Sequence, residues 1–123
     1  MLKPSSDIEG AIEETLQALS AQGVRLPNRA EVAEHLKQCP DLITVLEPVI
    51  ATAQSELPDA QLSLEVYHDP EIEDEHLVLY ARFSEYDWNS VMERVHNAGV
   101  RCAEMLNGQK GWLLLTTDFK PAE

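Results

Sequence analysis

Apolar residues recur every three or four positions through the first half of the chain and every second position through parts of the second half. Ile8, Ile12, Leu16 and Leu19 follow helical spacing. Ser6 and Glu9 stand at S-x-x-E spacing at the mouth of that run, a capping-box signature, and Gly23 closes it. Asn28 and Glu31 repeat the cap ahead of a short face of Val32 and Leu36. Pro40-Asp41 opens a third segment, with Leu42, Val45, Leu46, Val49, Ile50 and Ala53 facing inward. Pro48 interrupts it, either kinking one helix or opening a new one at its first position, and a break near Glu47 is the expectation, because proline inside a helix removes one hydrogen bond. The expectation is three or four helices.

The period then changes to two. Leu62, Leu64 and Val66 alternate with Ser63, Glu65 and Tyr67, and Leu77, Leu79, Ala81 and Phe83 alternate with Val78, Tyr80 and Arg82. Both runs predict half-buried strands. Antiparallel pairing of their apolar positions leaves Glu65, Tyr67, Tyr80 and Arg82 together on the other face. His68 to His76 is expected to form a long hairpin loop between them. Ser84 predicts a helix start, and Trp88, Val91, Met92, Val95, Cys102, Met105 and Leu106 a helical stripe ending at Asn107-Gly108. Trp112 to Thr117 predicts a last strand. Gly99 and Asn107-Gly108 also permit a competing reading, a hairpin over 100–117, which the helix-favouring Ala103, Glu104, Met105 and Leu106 oppose.

The expected fold is α+β: N-terminal helices over about 6–57, then a β-β-α-β unit over about 60–119 forming a small mixed three-stranded sheet. The second and third strands, joined through a helix, are expected to be parallel with a right-handed crossover. At 123 residues, the expectation is one domain spanning 1–123.

Charge narrows the partners. The chain has 22 acidic against nine basic residues, a formal net charge of −13, with hydrophobic residues at 44%. That balance argues against nucleic acid and against an anionic membrane surface, while the apolar content supports a core. The N-terminus shows no signal-peptide pattern, and the apolar run Trp112–Leu115 is far short of a membrane span, so a cytoplasmic protein is expected. Cys39 and Cys102 have no metal-type spacing and are expected to be two buried free thiols.

Five carboxylates crowd the segment between the strands: Asp69, Glu71, Glu73, Asp74 and Glu75, with Ile72 among them. Its plain reading is a solvated hairpin tip that deters edge pairing; its functional reading is an acidic docking loop. His68, His76 and one of Glu71, Glu73 or Asp74 would supply a two-histidine, one-carboxylate metal set, although the spacing matches no calcium loop. A second candidate surface combines Glu65, Tyr67, Tyr80 and Arg82 with Thr116 and Asp118 at the end of the last strand. Aromatic rings beside an arginine suit a ligand or a second subunit. Glu93 and His96 lie one helical turn apart, without the second copy that a di-iron bundle needs.

No phosphate-binding loop, nucleophile elbow or dinucleotide fingerprint occurs. No residue is assigned a catalytic role and no cofactor is expected. The chain reads as a small acidic, non-catalytic protein acting through contact with a protein partner or itself. The alternative is an enzyme that binds a small ligand or a divalent metal, using the acidic loop or the Tyr/Arg face.

Overall fold

The computed structural model describes residues 4–69, 71, 74–84, 87–106 and 113–117. Helix α1 (Pro4–Ala21) is followed by α2 (Arg29–Gln38), a 3-10 turn at Pro40–Leu42 and α3 (Ile43–Glu56). Then come β1 (Gln61–Asp69), β2 (Asp74–Arg82), α4 (Trp88–Met105) and β3 (Leu113–Thr116). The architecture is α+β, with a mixed sheet of order β1-β2-β3, β1 antiparallel and β3 parallel to β2. Continuous helix through Met105 disposes of the competing hairpin.

Register follows the alternation. Leu62 faces Ala81, Leu64 faces Leu79 and Val66 faces Leu77, while Leu113 and Leu115 sit beside Leu77 and Leu79. These residues turn one sheet face toward the helices and join a single buried cluster with Leu16, Leu19, Leu36, Leu46 and Ile50. Val78, buried in the middle strand, belongs to the opposite face and lies outside that cluster. Among the described residues, no helix is long and apolar enough to cross a membrane.

Four local expectations are corrected. Helix α3 runs unbroken through Pro48. The carbonyl that loses its partner is that of exposed Thr44, which water can serve, while Leu46, Val49, Ile50 and Ala53 anchor the helix on both sides of the proline. Helix α1 starts at Pro4, ahead of the expected Ser6 cap, in keeping with the tolerance of the first turn for proline. The N-cap of α4 is Asp87 rather than Ser84, and neither Asp87 nor Asn28 makes a side-chain cap hydrogen bond. Both strands also run further into the acidic segment than expected, as far as Asp69 and from Asp74, so only residues 70–73 separate them.

Gly23 closes α1 as expected. Its φ is +91°, the Val24 N–H donates to the Leu19 carbonyl at 3.0 Å and the Gly23 N–H to the Ser20 carbonyl at 3.0 Å. This is a Schellman closure, with buried Val24 and Leu19 supplying its apolar contact. A Cβ here would meet nothing within 4 Å, so the cost of adding one is purely conformational. Gly23→Ala is expected to lower stability by about 1 kcal/mol, read as a reduced urea midpoint with unchanged slope.

The chain then adds a contact that periodicity does not announce. The Arg25 N–H donates to the Leu62 carbonyl (2.8 Å) and the Arg25 carbonyl accepts from the Leu64 N–H (2.9 Å), a one-residue parallel bridge to Ser63 on the outer edge of β1.

Candidate functional site

The sheet face opposite the helices carries the residues that parity groups together. Glu65 and Tyr67 come from β1, Tyr80 and Arg82 from β2, and Thr116 from β3, which pairs with Tyr80. Arg82 Nη2 donates to Glu65 Oε2 at 3.2 Å, and Ser63 Oγ donates to the same oxygen at 2.9 Å. The Arg82 guanidinium carbon lies 5.3 Å from the centre of the Tyr80 ring, within cation–π range. Further along, the Tyr67 and His76 rings are 5.1 Å apart and tilted by 38°. Arg82 is only 12% exposed at its side chain, so the pair with Glu65 braces the face as much as it decorates it. Asp118 lies outside the described residues.

The acidic segment divides into parts with different surroundings. Asp69 and Asp74 stand opposite each other as the last paired residues of the hairpin. Glu71 is exposed, and Ile72 and Glu73 lie outside the described residues. Glu75 turns inward. Its Oε2 is 3.3 Å from His35 Nδ1 on α2, and its Oε1 is 3.4 Å from His68 Nδ1 on β1. His68 Nε2 in turn lies 2.9 Å from Glu31 Oε2. His68 therefore belongs to the helix-facing side of the hairpin, whereas His76, paired with Tyr67, belongs to the other. The sheet separates the two imidazoles that a His68, His76, Glu71 metal set would need to converge. Among the described residues, no group of three or more His, Cys, Asp or Glu is placed to hold a metal ion.

The chain Glu31–His68–Glu75–His35 was only half legible. His35 sits with Val32 and Leu36 on the buried stripe of α2, so its spacing marks it as buried. Its partner lies 40 positions away and has no local signal. Glu31, expected to complete a capping box, is used on His68 instead. These contacts clasp α2 to the hairpin.

Of the two thiols expected to be buried, Cys102 is buried and Cys39 only half-buried. Neither cysteine is prepared as a nucleophile. Burial, then the charges of Asp41 and Glu75, push the Cys39 thiol up. Burial, with a smaller contribution from Glu56, pushes the Cys102 thiol up to about 11, and its Sγ lies 3.8 Å from the Val49 carbonyl oxygen. A nucleophilic thiol needs the opposite shift.

A concavity lies elsewhere, between α4 and β3. This groove of about 520 Å³ is lined by Met92, Val95, His96, Gly99, Val100, Ala103 and Leu106 from the helical side and by Leu113–Thr116 from the strand. None of these residues carries a carboxylate. Met92 (40% exposed), Val100 (45%) and Leu114 (44%) give it an apolar rim. Gly99 lets the helix seat closely, since a Cβ there would lie 3.4 Å from the Leu115 carbonyl oxygen. Helix α4 carries two arginines, and both are engaged away from the groove: Arg94 with Asp59, Arg101 with Glu56. Sequence periodicity placed Met92 on the inward stripe and did not single out Val100 or Leu114. The signal available was the β3 run, in which three consecutive leucines cannot all face one side of a strand.

Compared with protein-family models, with curated proteins and with solved structures, the chain matches none.

Proposed function

We propose that the chain is a non-catalytic protein that works by protein–protein contact, with the α4–β3 groove as its contact surface. The carrying observation is an apolar groove, lined among the described residues without a single carboxylate, on a chain of net charge −13. Contiguous exposed apolar patches mark interaction sites. Among the described residues, the strand beside it is the edge of the sheet, with one side paired to β2. Edge strands are ready templates for a further strand. The raised thiols and the absence of catalytic motifs favour contact over chemistry.

The occupant is a second copy of the chain. The residues that line the groove carry no carboxylate and β3 carries no charge, so two copies meet here with less of the repulsion that their remaining surfaces impose. Light scattering over a dilution series is expected to give a concentration-dependent dimer. Val100→Glu and Leu114→Glu, both at exposed positions, are each expected to return the monomer while leaving the far-ultraviolet spectrum unchanged. A wild-type monomer at every concentration, or a dimer indifferent to both variants, overturns this assignment of the groove.

A further inference from the structure

The edge of the sheet at the start of β1 carries a second cavity, of about 220 Å³, lined by Arg25, Leu26, Pro27 and Arg82. We propose that it is a binding site for the carboxylate or phosphate group of a small molecule, held between the two guanidiniums.

Backbone geometry brings the arginines together. Both main-chain polar groups of Arg25 are committed to β1, which fixes the origin of its side chain at the sheet edge. Residues paired in a bridge share a face, so Arg25 stands on the side of its partner Ser63, the same side as Glu65 and Arg82. Arg82 comes from the next strand, at the position that pairs with Gln61, and is steadied by Glu65 Oε2 at 3.2 Å and by the Tyr80 ring.

The chemistry follows from charge and size. The chain has nine basic residues, and two of them line this one cavity with no acidic residue among its described walls. Glu65 offsets part of the Arg82 charge, and an oxyanion placed between the two arginines is attracted by both. Each guanidinium offers five N–H donors in a planar fork that matches an oxyanion, so one is accommodated beside the contacts the arginines already make. Leu26 and Pro27 form an apolar wall suited to a short carbon chain. At about 220 Å³ the space is smaller than a typical whole-ligand pocket, roughly 300–1,000 Å³, and suits one oxyanion group with a few attached atoms. This inference is independent of the α4–β3 groove.

The test is a titration of the full chain with inorganic phosphate and, separately, with succinate, each against sodium chloride at matched ionic strength, followed by amide chemical shifts. Saturable shifts at Arg25, Ser63 and Arg82 are expected with at least one anion. Response to phosphate alone assigns a phosphate site, response to succinate alone a carboxylate site, and response to both a general oxyanion site. Arg25→Gln, at an exposed position, is expected to weaken binding roughly tenfold, the scale of one lost charge-assisted contact. Shifts no larger than those from chloride, or equal affinity in wild type and Arg25→Gln, overturn the proposal.

Discussion

Replacing Leu79 with alanine is expected to lower the unfolding free energy by about 3 kcal/mol and the midpoint of thermal unfolding by about 10 °C. Leu79 is fully buried on the central strand, with Leu64 beside it on β1 and Leu115 on β3. Truncation removes apolar contact and leaves a cavity that the paired strands cannot readily collapse, since their backbones are fixed by hydrogen bonds on both sides. The matched control is Leu114→Ala on β3, at a position 44% exposed on the opposite face. Its expected cost is about 0.5 kcal/mol. Urea unfolding of the two variants at a protein concentration low enough that wild type and both variants are monomeric checks the difference. Equal losses would mean that the sheet turns the wrong face to the helices.

Raising the pH is expected to weaken the fold through Cys102. The thiol is pushed from 9.0 up to about 11 by burial. Between those values the unfolded chain releases this proton while the folded chain keeps it. The unfolded state then binds fewer protons, so stability falls as pH rises. The contribution is fully present below pH 9 and is lost as pH climbs through about 11. Two pH units correspond to about 3 kcal/mol, an order-of-magnitude figure for a residue 1% exposed. Tyrosines and lysines titrate in the same range, so the measurement is the difference in slope between wild type and Cys102→Ala. The variant is expected to start lower, because it leaves a small cavity, and to decline less steeply with pH. Parallel slopes would place Cys102 in contact with solvent.

The elements that periodicity recovered are those whose apolar positions all face one core. Leu62, Leu64 and Val66 against Leu77, Leu79 and Ala81 fix a two-residue period that admits one register, and a slip by one residue would bury Glu65 and Arg82. The same parity grouped Glu65, Tyr67, Tyr80 and Arg82. Where expectation failed, a local preference was overridden by a distant partner. His68 and Glu75 look like loop residues in sequence, yet they extend the strands because Glu31 and His35 on α2 wait for them. Pro48 marks a helix break in isolation, yet the buried stripe of α3 holds across it. Arg25 meets β1 through a single residue, too short to leave any period. The groove leaves no mark in the periodicity for a related reason: a hydrophobic residue carries the same letter whether it is covered or exposed.

The two neighbours of β2 are reached in very different ways. Strand β1 arrives through a tight hairpin, whereas β3 arrives only after the whole of α4. On a growing polypeptide, the hairpin can close as soon as Arg82 has emerged, but the far edge of the central strand then waits until α4 and β3 have followed. During that interval Leu77 and Leu79 lack their lateral cover, and the nascent sheet presents an unpaired apolar edge. Synthesis rate over residues 83–117 thus sets how long the chain is exposed to intermolecular strand pairing. A pause there would cost solubility during biogenesis even though the finished fold is unchanged.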